Sequence, residues 1–480
     1  MKKPVSYRSN QIYTSTKMDQ KWRQKTEKIL TPETIVFFTI LHIPLAYLMW
    51  QFSIFATMHA LATLGLGLLW LSEQTPKRVI YTTAYITGAE ILWRGTQAGV
   101  FYEFGKYSLV LLLLLAMFKY QRLGKASKIP LLFLLLLLPS FIELPYFDRE
   151  EISFNLSGPL ALAVSTMFFS TVSLTIDHLK RVLLAVIAPV TGLVFLATYA
   201  TLTAEKIEFT GESIKATSAG IGPNQVATIL GLGALCAFYY AIIETRQKSL
   251  RYFLVLLSVW FIAQSLLTFS RGGVWAAVGA LLVGLYYLLR RSRSKLSVLF
   301  PLLFVLVVGY SLVWPALQKF TGGLVEQRYT DFEPTGRTEI VQSDLVTFQK
   351  NPVLGVGPGQ SYYYHDIFFR ESKSHTEYSR LLAEHGSFGL FAILLLFGIT
   401  VKRFFSKDSL KQKSFSTTFT TWSLLTMLHS AMRLAAPGFA FGIGAASLDD
   451  EETEGQLPEK ASRYPSRYIK SAGQKEVNEV

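Results

Sequence analysis

Charged side chains are scarce in this chain: Asp, Glu, Lys and Arg make up 17% of its 480 residues, whereas apolar types make up 50%. A soluble protein of this length needs more charged surface, because large apolar surfaces in water lead to association. Runs such as LVLLLLLAMF and IPLLFLLLLLPSFI have no polar face, unlike the amphipathic helices that cover a soluble core. Several runs approach the roughly 20 residues that cross a bilayer. The composition therefore predicts an all-α polytopic membrane protein.

Cysteine is almost absent as well, since Cys236 is the single one and lies within an apolar run. This excludes a disulfide framework and a thiolate metal site. A cleavable signal peptide is not expected, because the first 30 residues are polar and basic and the first apolar run is long enough to remain as a span. The chain also has no internal repeat, which disfavours a transporter built from two similar halves.

Apolar runs and the polar breaks between them predict about 12–14 transmembrane helices. The chain then divides into a basic N-terminal arm (1–32), a transmembrane domain (33–447) and a polar tail that we expect to be disordered (448–480). The predicted spans are 35–51, 53–71, 79–93, 107–118, 129–146, 155–175, 182–202, 222–243, 252–269, 274–290, 297–314, 387–401 and 417–436.

The basic residues are concentrated in alternate breaks, starting with eight Lys and Arg among the first 28 residues. A net charge of +14 could indicate a nucleic-acid partner, but this placement follows the positive-inside rule and indicates topology instead. The long insert 315–386 carries nine acidic and seven basic residues and is predicted to lie outside, with the N-terminus in the cytoplasm. Thirteen spans would leave the C-terminus outside, whereas a broken or re-entrant helix near Pro437 would return it. The sequence leaves both open.

A polar helix is predicted within KSHTEYSRLLAEHG, residues 373–386. Ser374 and Glu377 have the spacing of a capping box, so the helix should begin at His375 and end at Gly386. In the first turn, the positive end of the helix disfavours imidazolium, and a neutral His375 could accept a proton. The alternative is a solvated loop histidine.

Two arginines at span or helix ends are candidates for anion binding. Arg337 begins a predicted helix that Asn351-Pro352 stops, and an arginine beside free backbone N–H groups suits phosphate. The glycines that follow this helix predict a structural turn, because no Lys-Ser/Thr of a nucleotide loop comes after them. Arg271, in TFSRGGVW, lies between two spans, where a charge is costly unless it binds an anion or reaches the lipid headgroups.

Two further stretches place polar side chains at the outer ends of spans, where they could line a cavity or simply satisfy one another. Asn224 and Gln225 open a helix in GIGPNQVAT. The other residues are Glu90, Arg94, Glu103 and Lys106 in EILWRGTQAGVFYEFGKY.

Arginines and a histidine on one outer surface suit glycosyl transfer from a lipid diphosphate. The leaving diphosphate can be stabilised by guanidinium groups without a metal, and one imidazole can take the proton of the acceptor hydroxyl. His365, His375 and His385 raise the possibility of a metal site, but their spacing does not place two on one helical face as H-E-x-x-H does. We therefore expect no metal and no cofactor.

Several motifs resemble the O-antigen ligase/polymerase superfamily over about residues 252–401. They are SRGG at the end of a span, GRTE…NPVLGVGPGQ in the long insert, and SHTEYSRLLAEHGSFGLF entering the next span. The upstream stretches EILWRG…YEFGKY and GPNQ are similar to members of the same family.

The resemblance implies a multi-pass glycosyltransferase of the bacterial inner membrane, with its active site at the periplasmic face and an undecaprenyl-diphosphate-linked glycan as donor. The ligase branch uses a lipid A–core acceptor and the polymerase branch another lipid-linked repeat; both stay open, with the ligase favoured. By resemblance, Arg271 and Arg337 match the diphosphate-binding arginines, and His375 matches the base. Further possible site residues are Arg94, Lys106, Asn224 and Arg380.

Two other functional classes fit the sequence less well. A polysaccharide exporter or flippase should carry cations deep within many spans, whereas the basic residues here lie mostly at span ends. A non-catalytic membrane scaffold would not need arginines and a histidine on one outer loop.

Overall fold

The structure of the chain is a computed structural model, which describes residues 30–449 apart from 146, 210, 245, 292–294, 332–336, 366–372 and 430–431. Within these residues, nine helices are long and apolar enough to cross a membrane. The predicted all-α polytopic membrane protein is confirmed, while the total of 12–14 spans stays a prediction. The predicted basic arm and polar tail fall almost wholly outside the described residues.

The first half of the chain forms α1 (Pro32–Gln51), α2 (Ser53–Trp70), α3 (Lys77–Gly95), α4 (Phe104–Lys119), α5 (Ile129–Leu135), α6 (Arg149–Phe169), strand β1 (Ser173–Leu174), α7 (Ile176–Thr203) and α8 (Pro223–Ile243). The second half forms α9 (Lys248–Leu267), α10 (Arg271–Arg291), α11 (Leu296–Val308), α12 (Trp314–Thr321), α13 (Leu324–Thr330), α14 (Arg337–Lys350), α15 (Glu377–Phe404), α16 (Leu410–Met427), α17 (Ala435–Ile443) and strand β2 (Ser447–Leu448).

Successive long helices run in opposite directions between two ends of one bundle. At the end that we call the loop end, Gln225 donates to the hydroxyl of Tyr102 (2.8 Å), which joins the α3–α4 connection to the start of α8. The long insert between α12 and α15 lies at the same end. At the other end, an ion pair between Lys180 and Glu244 (2.9 Å) joins two of the breaks that are rich in Lys and Arg. We call this the basic end.

The centre of the bundle consists of α3, α7 and α8, which pack against one another. The most apolar 18-residue window of α8 is 94% buried and that of α7 is 83% buried, as expected for helices that are apolar all round. α3 is less apolar because it buries threonines. Thr82 and Thr87 donate to the carbonyls four residues earlier (both 2.8 Å), so their hydroxyls are satisfied within the helix.

Two predicted spans differ in extent from the observed helices. The predicted span 129–146 is broken: α5 ends at Leu135 and a 3-10 helix, Pro139–Glu143, follows. Proline has no backbone N–H, so Pro139 cannot continue the hydrogen bonding of α5. The predicted span 297–314 continues to Thr321, because a π-helical segment, Gly309–Val313, joins α11 directly to α12. The bounds of the predicted outer insert, 315–386, stay a prediction.

The predicted span 417–436 is a helical hairpin. α16 ends at Met427, and α17 runs back towards the basic end, where β2 pairs in parallel with β1 in the register Ser173–Ser447. The backbone N–H of Leu448 also donates to Gln412 at the start of α16 (2.6 Å). Of the two alternatives for the C-terminus, the broken helix near Pro437 therefore agrees with the structure.

A sharp break divides α15 at Gly386, where the predicted polar helix was expected to end. Gly386 has φ 57° and ψ −137°, and the helix continues after it. The carbonyls of Ala383 and Glu384 accept from Val356 and Gly357 (both 3.0 Å), so the glycine turn after α14 satisfies backbone groups that the break leaves without helical partners. The glycines of this turn have positive φ, and the predicted structural turn is confirmed.

Gly386→Ala should destabilise the fold by about 1–3 kcal/mol, because its backbone is strained for any residue with a Cβ. The new Cβ would also lie 2.5 Å from the carbonyl oxygen of Val353. The expected result is a lower unfolding temperature of the purified protein in detergent. Gly398→Ala is the matched control, since a Cβ there meets nothing within 4 Å and alanine favours a helix. Equal unfolding temperatures for the two variants would contradict the prediction.

Candidate active site

The turn between α9 and α10 holds Arg271 at the loop end. Phe269 in this turn has a left-handed backbone (φ 57°) although it is not glycine, and it is fully buried. Such a conformation costs on the order of 1–3 kcal/mol and persists only where surrounding contacts hold it. Arg328 supplies one such contact by donating from Nε to the Phe269 carbonyl (3.0 Å). Arg271 begins α10 directly after this turn and donates to the carbonyl of Asp331.

Arg271 and Arg328 form a pair of like charges at this turn. The pKa of Arg328 lies below its usual value, first because burial desolvates the guanidinium and then because of the positive charge of Arg271. An anion placed between the two would relieve their repulsion. Two guanidinium groups close together are an arrangement that attracts phosphate or diphosphate, although Asp331 and Glu212 also act on the charge of Arg328.

The glycine after Arg271 brings the α16–α17 hairpin close to this turn. A Cβ at Gly272 would overlap the ring of His429 in the hairpin. The imidazole Nε2 of His429 also hydrogen-bonds the hydroxyl of Thr228 on α8 (3.1 Å). The SRGG motif thus lets three segments meet at the loop end.

Asn224 and Gln225 at the start of α8 connect this turn to α3. The side-chain oxygen of Asn224 accepts from the hydroxyl of Ser270 (2.8 Å), next to Arg271. The side-chain oxygen of Gln225 accepts from Arg94 (3.3 Å) at the end of α3.

Arg94 is held by three further contacts. It is ion-paired with the buried Glu90 (2.5 Å), donates to the carbonyl of Arg433 (3.2 Å), and lies over the ring of Tyr102 (3.8 Å to the centroid). Glu90 and Arg94 also line a cavity of about 240 Å³ together with Tyr102. The two predicted possibilities for this stretch, that it lines a cavity and that its charges satisfy one another, are both realised.

His375 lies just before α15 and not in its first turn. The observed N-cap is Thr376, whose hydroxyl accepts from the backbone N–H of Ser379 (3.1 Å), so the predicted capping box starting at Ser374 is wrong. The hydroxyl of Ser374 donates instead to Asp344 (2.9 Å). His375 is half-buried in this segment.

Asp344 fixes the His375 segment against α14. Its carboxylate also accepts from the Ser379 hydroxyl (2.6 Å) and lies 2.9 Å from Nε2 of His365. Arg337 is the first residue of α14, as predicted, although its side chain is outside the described residues. The helix that begins at Arg337 is thereby held against the segment that carries His375.

Arg380 lies in a buried ion-pair cluster. Its guanidinium is ion-paired with Glu377 and Glu384, and it donates to the carbonyl of Asn155 (3.2 Å). Glu377 also accepts from the backbone N–H of Met432 in the hairpin (3.0 Å). The contacts of Arg380 and Glu377 thus join α15 to α6 and to the hairpin, and the role of Arg380 as a possible site residue stays a prediction.

Two of the three histidines considered for a metal site have different partners. His365 lies 2.9 Å from Asp344, and Nδ1 of His385 lies 2.6 Å from the hydroxyl of Ser140. Among the described residues, no group of three or more His, Cys, Asp and Glu could hold a metal ion.

Residues 256–394 match the family model described as O-antigen ligase. Through this segment, which is less than half of the chain, the protein is related to the O-antigen ligase superfamily. No curated protein sequence matches the chain. The match runs from α9 into α15, so it includes Arg271, Arg337 and His375 of this O-antigen ligase-related protein. It excludes Arg94, Lys106 and Asn224.

Sequence reasoning missed two cations of this O-antigen ligase-related protein that lie near the predicted ones. Arg328 lies close enough to Arg271 for their two positive charges to repel each other. Arg433 donates to the carbonyl of Ser374 (2.7 Å), next to His375. Arg433 falls within the predicted span 417–436. An arginine inside an apolar segment is by itself a signal of function, and it could have indicated this residue.

Lys106 is the most deeply buried of the predicted site residues whose side chains the structure describes. It is fully buried on α4, 3.8 Å from Glu103, and lies 5.8 Å from the centroid of the Phe154 ring. Phe154 belongs to α6, so the Lys106 ammonium lies near the first turns of that helix.

Proposed function

We propose that this protein is a membrane glycosyltransferase of the O-antigen ligase type, which moves a glycan from an undecaprenyl-diphosphate carrier to an acceptor hydroxyl. One observation carries the proposal: a hydrogen-bonded network at the loop end joins the Arg271 turn, Arg94, Arg433 and the His375 segment. A diphosphate needs cations and an attacking hydroxyl needs a base, and this network holds both kinds of group.

In the proposed reaction, the acceptor oxygen attacks the anomeric carbon of the glycan while the bond from that carbon to the diphosphate oxygen breaks. The electron pair of the broken bond stays on the diphosphate, whose charge Arg271, Arg328 and Arg337 stabilise. The acceptor proton passes to the imidazole of His375. The products are the new glycoside and the lipid diphosphate, and no metal takes part.

The predicted topology puts this network at the periplasmic face of the bacterial inner membrane, because the Lys- and Arg-rich breaks lie at the opposite end of the bundle. A lipid A–core acceptor would make the protein a ligase, and a second lipid-linked repeat would make it a polymerase. Supplying the purified protein with both acceptors in one reaction distinguishes the two activities by the product formed.

We expect Arg271→Ala and Arg337→Ala each to lower glycan transfer about 100-fold or more, because each removes a charge that stabilises the leaving diphosphate. The measurement is transfer by purified protein from a lipid-diphosphate glycan, with a metal chelator present. Arg78→Ala is the control, since Arg78 is an exposed arginine at the basic end. Unchanged transfer in both variants, or loss of wild-type transfer on chelation, would contradict the proposed mechanism.

A further inference from the structure

Three cations surround the ring of Phe154 at the loop end. The distances to the ring centroid are 4.4 Å for the Lys373 ammonium, 5.3 Å for the Arg433 guanidinium and 5.8 Å for the Lys106 ammonium. The four residues come from α4, α6, the segment before α15 and the α16–α17 hairpin. We call them the Phe154 cluster.

Two of these cations have a buried nitrogen that donates no hydrogen bond to any described residue. Nζ of Lys106 and Nε of Arg433 are both buried without a hydrogen-bond partner. A buried donor left unsatisfied is destabilising, and more so when it is charged. The donors in the Phe154 cluster therefore favour an acceptor atom supplied by a ligand.

The nearby carboxylates do not satisfy the two buried donors of the cluster. Lys373 is bonded to Glu151 (2.6 and 2.9 Å), and Lys106 lies 3.8 Å from Glu103. Glu90 and Glu377 also act on the charge of Lys106, and Glu377 and Glu151 act on that of Arg433. None of these carboxylates is among the hydrogen-bond partners of the Arg433 guanidinium in the described residues. Because both unsatisfied donors belong to cationic groups, an anionic acceptor suits them better than a neutral one.

The cluster is held in place beside His375. Arg94 binds the carbonyl of Arg433, and Glu377 binds the backbone N–H of the preceding Met432. Arg433 itself donates to the carbonyl of Ser374, the neighbour of His375. A ligand bound by the cluster would therefore lie beside the segment that carries His375.

We propose that the Phe154 cluster binds an anionic group, such as a phosphate, of the acceptor glycan. This inference rests on the proposed function, in which the acceptor must approach His375. Lys373 lies two residues before His375, and Arg433 donates to the carbonyl of Ser374, so a group bound by the cluster lies beside the proposed base.

The test is to measure KM for each substrate separately in Arg433→Gln and Lys373→Gln. We expect KM for a phosphorylated acceptor to rise about tenfold or more, because a charge-assisted hydrogen bond is lost, while KM for the donor stays unchanged. Removing the phosphate groups from the acceptor should raise the wild-type KM to a similar level and abolish the difference between wild type and variants. Arg78→Gln is the control.

A raised KM for the donor instead would show that the cluster serves the donor diphosphate and would overturn the proposal. A lower kcat with both KM values unchanged would also overturn it. Lys373 is partly exposed, so its variant guards against a folding defect in Arg433→Gln.

A second measurement separates this inference from the proposed function. Binding of inorganic phosphate to the detergent-solubilised protein can be followed by broadening of the phosphorus NMR line. If wild-type protein transfers no glycan, the proposed function fails, but the anion site stands if Arg433→Gln weakens phosphate binding and Arg271→Gln does not. Equal phosphate binding by wild type and Arg433→Gln would overturn the anion site.

Discussion

His375→Ala should lower glycan transfer by about 100- to 10,000-fold, which is the contribution usual for a general base. The acceptor hydroxyl is a weak nucleophile unless its proton is removed as it attacks. The half-buried imidazole of His375 lies between Ser374, which Arg433 and Asp344 hold, and the N-cap Thr376. Asp344 bonds other groups, so we expect no second base to replace the imidazole.

The His375 experiment measures single-turnover transfer together with donor binding. Donor affinity should stay close to that of wild type, because the diphosphate is assigned to the arginines. His178→Ala is the matched control, since His178 lies near the start of α7 at the basic end. Full transfer by His375→Ala would remove the base assignment while leaving the arginine assignments standing.

Arg380→Met should destabilise the protein by about 3–5 kcal/mol, because it leaves two carboxylates buried without their cation. Glu377 and Glu384 are almost fully buried, and both are ion-paired with Arg380. The expected result is a large drop in the unfolding temperature in detergent. Glycan transfer should fall as well, because Arg380 holds Glu377, and Glu377 bonds the hairpin that carries Arg433.

A triple variant separates the charge from the packing at this position. Replacing Arg380 with Met and both Glu377 and Glu384 with Gln removes all three buried charges, so much of the lost stability should return. If the triple variant is less stable than Arg380→Met alone, the loss comes from packing and hydrogen bonding and not from unpaired charge.

The residues that sequence analysis identified lie where an apolar run is interrupted. Arg271 and His375 lie at the ends of apolar segments, so a polar residue there is visible without any structure. Arg433 was missed because its neighbours are apolar enough to be taken as part of one span. The break there depends on distant partners: Glu377 accepts from Met432, and Glu90 accepts from the backbone N–H of Ala435 (2.7 Å).

Arg380 shows a second limit of the sequence, which reveals neighbours along a helix but not their burial. Glu377 and Glu384 lie three and four residues away on one helix, so the sequence contained the ion pairs. The sequence did not show that these ion pairs are buried. Three residues from other parts of the chain, Asn155, Ser361 and Met432, contact the ion-paired side chains. The structure therefore adds two buried ion pairs to a residue that the sequence indicated only as a possible site residue.

By itself, the sequence determined the class of fold, the alternation of basic and mixed-charge breaks, and the family of residues 256–394. Hydropathy and motif order are properties of short segments, so they can be read locally. Only the tertiary structure decided which charges meet, since Lys106, Phe154, Lys373 and Arg433 are brought together by the packing of segments far apart in the chain. No spacing along the sequence encodes that contact.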